Sequence, residues 1–114
     1  MVGSVIGIAS IKIDLALPVI AAQSQEYLPM RVDAVTRLVS IEAVDGHLQR
    51  TYEISRDGFR FDDRFAAMIG TNICNNALLA QLLQAGVTID EIYVRTDGTQ
   101  IGRQAISQDA CQGR

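Results

Sequence analysis

Lysine is nearly absent from this 114-residue chain: Lys12 stands alone beside nine arginines spread from Arg31 to Arg114. Unclustered, and set against a net charge of −3, these cations create no field that would hold a polyanion or an anionic membrane surface. Nucleic acid and a polybasic lipid patch are therefore not expected as partners. Histidine occurs once, as His47 directly after the Asp45-Gly46 pair, a place where a side chain is normally solvated. With no Gly-x-Ser-x-Gly or comparable setting, a Ser/Cys–His hydrolase is not indicated. The glycines stand singly in turn or cap positions rather than in a phosphate-cradling loop. Two cysteines and one distant histidine cannot complete a usual zinc shell, so neither a metal nor a cofactor is expected.

An uninterrupted apolar run is also missing. Val2 to Ala22 is mostly apolar, but Lys12 and Asp14 lie in its middle, and each would cost about 3 kcal/mol at the centre of a membrane-spanning helix. The chain is read as having no membrane span. Leu15 to Ala22 has the short apolar core and small-residue end of a signal peptide, yet Asp14 stands where a basic leader belongs. The segment is read as structural, or as a remnant.

What is present suffices for one hydrophobic core: 48% of residues are apolar, in a length close to that of one domain. The division expected is an extended arm or strand over residues 1–13, from the β-branched run Val5–Ile13, and a single domain over 14–114. Asp14 can cap a helix from Leu15 to Tyr27 that Pro29 stops, with Leu17, Ile20, Ala21, Ser24 and Leu28 at helical spacing.

From Thr36 to Ser55 the pattern becomes period two around Asp45-Gly46, a strong hairpin signal. A two-residue turn there sets Ala43 opposite Leu48, Ile41 opposite Arg50 and Val39 opposite Tyr52, one apolar face with Arg50 as the exception. Its stem can lie along that face while its guanidinium reaches the rim. Asp62-Asp63 then opens a helix carrying Phe65, Met68, Ile69 and Ile73, with a break near Cys74 where asparagines cluster, and a second helix runs from Asn76 to Ala85 before Gly86. A second hairpin around Asp97-Gly98 pairs Val94 with Ile101 and Ile89 with Ile106. The order α-β-β-α-β-β predicts an α+β fold: a four-stranded antiparallel sheet from two hairpins, helices packed on one face, with an added N-terminal arm or strand. Val5–Ile13 has no partner strand in that plan and offers an edge for self-association, as a homodimer.

Cys74 and Cys111 lie 37 positions apart, one at the helix break and one beyond the last strand. That spacing is wrong for a CxxC redox centre and leaves a structural disulfide or two unrelated buried thiols. The disulfide is the reading taken, and with it an oxidising compartment. Leu28-Pro29-Met30-Arg31-Val32-Asp33 is neither clearly helix nor strand. It is read as a connection pinned by Arg31 and Asp33, with a binding surface as the alternative.

Leu28-Pro29-Met30-Arg31-Val32-Asp33, Asn72-Ile73-Cys74, Gly86-Val87-Thr88 and the closing Cys111 together resemble a family of small bacterial exported or membrane-tethered proteins of unknown function. Its members carry an L-P-x-x-V-D segment, an N-x-C motif, a G-V-T strand and a C-terminal cysteine. The resemblance runs from Leu28 to Cys111, implies a periplasmic or cell-envelope location and brings no activity with it. With no assembled acid, base, nucleophile or metal set, the function expected is a non-catalytic envelope domain that binds or scaffolds another protein. The alternative is a small hydrolase or transferase with a polar site built from Arg31, Asp33, Arg50 and Tyr52.

Overall fold

The computed structural model describes residues 16–112. The arm over 1–13, the Asp14 cap and the self-associating edge at Val5–Ile13 lie outside the described residues.

Helix α1 covers residues 16–24 and continues as a 3-10 turn, Gln25–Tyr27, that ends before Pro29 as expected. Leu17 and Ala21, four apart on one face, are buried in the common core, while Val19 on the other face is exposed. The chain then forms five strands: β1 (Met30–Arg31), β2 (Thr36–Val44), β3 (His47–Ile54), β4 (Thr88–Arg95) and β5 (Gln100–Ile106). Their spatial order is the chain order. The segment that resisted assignment is thus a short edge strand, β1, paired with β2 through Met30↔Leu38 and Arg31↔Arg37. Arg31 takes part through its strand pairing with Arg37, and its side chain makes no hydrogen bond or ion pair among the described residues. Val32 and Asp33 donate backbone N–H groups to the Thr36 carbonyl, and the Asp33 carboxylate accepts the Val35 N–H at 2.9 Å.

The four-stranded antiparallel plan is corrected in a second respect. β3 and β4 run parallel, Leu48 beside Ile89, Arg50 beside Glu91 and Tyr52 beside Tyr93. Two helices lie between these strands in the chain, α2 (Asp63–Cys74) and α3 (Ala77–Gln84). A connection of that length carries the chain back to the end of the sheet from which β3 started, and β4 retraces its direction. The result is a mixed sheet: two antiparallel hairpins joined edge to edge by a parallel pair.

Local signals built the helices where expected. Asp62 caps α2 by accepting the Phe65 N–H, and Asn76 caps α3 by accepting the Leu79 N–H. Gly86 takes φ +94° after α3, a value natural to glycine. At the first hairpin Asp45 and Gly46 both have positive φ, 50° and 78°, as a type I′ turn requires.

Two register expectations fail, each by one residue. Ala43↔Leu48 and Ile41↔Arg50 hold, but the register shifts between Leu38 and Ser40, so that Leu38 rather than Val39 faces Tyr52. The bulge at Val39 turns Leu38 and Thr36 inward, and both are buried. On the second hairpin Ile89↔Ile106 holds, but Val94 faces Gln100 instead of Ile101. Arg95 donates its N–H to the Thr99 carbonyl, closing a three-residue loop, and Ile101 becomes the extra residue that restores register at Tyr93↔Gly102.

The core lies between the helices and one face of the sheet, with Leu38, Leu48, Ile54, Ile89 and Ile106 from the strands meeting Leu17, Ile69, Ile73, Leu82 and Leu83 from the helices. Cys74, the last residue of α2, is joined to Cys111 with Cα atoms 5.4 Å apart. The bridge ties the chain after β5 to the helix break. Closing a loop of this length is worth about 4 kcal/mol, so the paired variant Cys74→Ser/Cys111→Ser should melt about ten degrees or more below the native protein. An unchanged melting temperature would show that the bridge is not formed in solution.

Candidate functional site

Inward positions on adjacent strands line up as rows across the sheet. Ala43, Leu48, Ile89 and Ile106 make one apolar row, and Leu38, Tyr52, Tyr93 and Gly102 make another. Between them runs Ile41, Arg50, Glu91 and Gln104, polar in three of its four positions. Arg50 does not reach out to solvent as its sequence context suggests. Its Nη1 donates to Glu91 Oε1 at 3.2 Å, its side chain is 18% exposed, and its guanidinium carbon lies 5.4 Å from the centre of the Tyr52 ring. Tyr52 donates its hydroxyl hydrogen to the same Glu91 oxygen, also at 3.2 Å. Glu91 itself is 2% exposed. Its second oxygen, Oε2, is buried and has no hydrogen-bond partner among the described residues.

Burial disfavours a charged carboxylate, and although Arg50 and the Tyr52 hydroxyl oppose that effect, the Glu91 carboxyl is pushed from 4.5 up to about 7. Burial likewise raises the Tyr52 and Tyr93 phenols, with the Glu91 charge adding to it, so both remain protonated at neutral pH.

Aromatic rings wall the neighbouring space. Tyr52 and Tyr93 stack with centroids 4.9 Å apart, and Phe65 meets Tyr93 edge-on at 5.1 Å. Phe59 and Phe61, from the chain between β3 and α2, close against Phe65 at 4.8 and 5.5 Å. Phe61 lies across Gly102 so closely that a Cβ there would stand 2.5 Å from its ring. Glycine is therefore needed at that point for close approach rather than for backbone freedom.

Arg50, Glu91, Tyr52, Tyr93, Phe59 and Phe65 form the wall of an open groove of about 470 Å³ between α2 and the sheet, flanked by Val32, Asp33 and Val35 from the β1–β2 connection. Its rim is apolar and accessible: Met68 on α2 is 50% exposed and Val32 is 54% exposed. Of the four residues singled out from sequence, Asp33, Arg50 and Tyr52 line this groove, whereas Arg31 lines a separate depression with Arg37 and Glu53. Asp33 is exposed, and the Val35 N–H on its carboxylate holds it below the ordinary range.

Sequence reading missed Glu91 and Tyr93. The signal was the period-two run Ile89, Glu91, Tyr93, which puts a carboxylate on an otherwise apolar face; only the parallel pairing of β3 with β4 sets it beside Arg50. Among the described residues no helix covers the opposite face of the sheet, which is mostly polar. There His47 Nδ1 lies 3.0 Å from the buried Asp90, with Gln49 at 3.3 Å and Arg103 at 3.6 Å from the same carboxylate oxygen. His47 is thus partly exposed, as expected, but not free. No helix among the described residues is long and apolar enough to cross a membrane.

The fold is shared with solved bacterial proteins at low sequence identity. EpsS, a pilotin from the Vibrio vulnificus type 2 secretion system, has a TM-score of 0.83 at 14% identity, covering 95% of this chain and 99% of its own. A Pseudomonas aeruginosa protein described as secreted has a TM-score of 0.80 at 14% identity, covering 91% and 96%. AspS, the type II secretion system pilotin from Vibrio cholerae, has a TM-score of 0.76 at 12% identity, covering 92% and 97%. No protein-family model and no curated protein matches the chain.

Because Glu91 binds its proton more tightly folded than unfolded, its contribution to stability is fully present below pH 4.5 and is lost as pH rises to about 7. Asp33 and Asp97, whose carboxyls are lowered from 3.8, act in the opposite sense only at more acid pH. Urea unfolding of the native protein should therefore show a loss of about 3 kcal/mol between about pH 5 and about pH 8, and Glu91→Gln should abolish most of it. A native protein that gains stability over this interval, or a variant with the same slope, would contradict the assignment.

Proposed function

We propose that this chain is a non-catalytic, protein-binding domain of the bacterial cell envelope, acting with a secretion apparatus as pilotins do. The observation that carries the reading is the groove between α2 and the sheet, whose apolar rim at Val32 and Met68 is exposed among the described residues. An exposed apolar patch beside a formed cleft is the usual mark of a surface that another chain covers. The groove's polar groups support binding over catalysis: the guanidiniums of Arg50 and Arg56, the carboxylates of Asp33 and Glu91, each already accepting a hydrogen bond, and two protonated phenols. The fold common to EpsS, AspS and the secreted Pseudomonas protein supports the envelope location, as does the Cys74–Cys111 disulfide, a bond favoured in the periplasm. Asp33, Arg50 and Tyr52 belong to the docking surface in this reading, and Arg31 lies outside it.

Tagged protein recovered from the envelope fraction should retain a component of the secretion apparatus. Met68→Glu puts a charge on the apolar rim and should reduce that retention about tenfold or more, as substitutions at the centre of an interface do. Glu42→Lys, on the uncovered face of β2, should leave it unchanged. Equal retention by all three proteins would refute the groove as the docking surface.

A further inference from the structure

The chain between β3 and α2 forms a second depression beside the groove. Its volume is about 520 Å³, and it adjoins the groove through shared walls at Arg56, Phe59, Phe65 and Met68, with Arg60 and Arg64 at its other side. On the strands, Arg37 faces Glu53, Arg50 faces Glu91 and Arg103 faces Asp90, each across neighbouring strands. Arg56, Arg60 and Arg64 face no such group. They are exposed and make no ion pair or side-chain hydrogen bond among the described residues.

In the sequence these three cations are balanced by Asp57, Asp62 and Asp63, but the fold separates the two sets. Of the carboxylates only Asp62 lines the depression, and it already accepts the Phe65 N–H at the start of α2. Three guanidiniums thus share an otherwise apolar lining of Phe59, Phe65 and Met68 with one occupied carboxylate.

We propose that this depression receives carboxylates of the docked partner, whose contacting segment places an apolar side chain in the groove and aspartate or glutamate residues against Arg56, Arg60 and Arg64. This deepens the docking reading and rests on it. A guanidinium meets a carboxylate through two parallel N–H···O bonds, and phenyl rings beside the pair lower the local dielectric and reduce its screening. Exposed ion pairs are individually weak, so what they contribute is selectivity and speed of encounter. A planar anionic membrane is the poorer match: it would meet the exposed Asp57 and Asp63 together with the arginines, whereas an inserted carboxylate meets the cations that wall the depression.

Fluorescence anisotropy with two labelled hexapeptides, Glu-Glu-Leu-Phe-Glu-Glu and Gln-Gln-Leu-Phe-Gln-Gln, tests this without the partner. In about 0.05 M NaCl the native protein should bind the acidic peptide about tenfold more tightly, and in about 0.5 M NaCl the preference should shrink to about twofold. Arg60→Gln/Arg64→Gln should lose most of the low-salt preference. Arg31→Gln/Arg95→Gln, which changes the net charge equally at residues outside the depression, should keep it. Equal affinity of the two peptides for the native protein, binding of neither, the same loss in both double variants, or binding of phosphatidylglycerol vesicles with rejection of the acidic peptide would overturn the proposal. Retention by Met68→Glu judges the docking surface itself independently of these outcomes.

Discussion

A salt bridge placed where an apolar row belongs determines the character of this domain. Arg50 and Glu91 are cross-strand neighbours in the parallel pair at the middle of the sheet, on the face that the helices cover. Desolvating two charges is unfavourable unless their geometry and hydrogen bonds compensate, and here one carboxylate oxygen is left without any. The compensation comes from around the pair. Tyr52 donates to Glu91, lies beneath the Arg50 guanidinium and stacks on Tyr93. Tyr93 in turn anchors Phe61 and Phe65. Gly102 is explained by the same chain of contacts, since Phe61 occupies the space its Cβ would need.

The groove follows from that polar row. Toward the His47 end of β3, Leu48 and Ile89 are buried in one cluster with Leu17 of α1 and Leu82 and Leu83 of α3. Toward the Ile54 end, Ile69 and Ile73 of α2 reach the core, but Met68 and Asn72 stand beside open space over the charge pair. The disulfide and the short β1 frame this arrangement from outside: Cys111 holds the end of the chain to α2, and the β1–β2 connection supplies Val32 and Asp33 to the far wall.

Much of this was legible in the sequence because it is written locally. The Asp45-Gly46 turn, the Asp62 and Asn76 caps, the break at Cys74 and the glycine after α3 each depend on a few adjacent residues. The features that escaped are decided at a distance. The Val39 and Ile101 bulges exist because burying Leu38, and keeping Ile89 opposite Ile106, outweighs an unbroken ladder. β1 is two residues long and contains no periodic signal at all. The parallel β3–β4 pair is a consequence of the intervening helices, and with it went the partner of Arg50. Arg50 stands out in the sequence as an exception on an apolar face, yet its role depends on Glu91, 41 positions later in the chain.

The central claim is that the α2–sheet groove, and not the uncovered face of the sheet, is where another protein docks. Photo-crosslinking in bacterial cells tests it most directly, with p-benzoylphenylalanine placed at position 68 in the groove and, separately, at position 42 on the uncovered face. A discrete adduct with a secretion-apparatus component from position 68, and none from position 42, is the result this account requires. No adduct from position 68, or the same adduct from both positions, would contradict it.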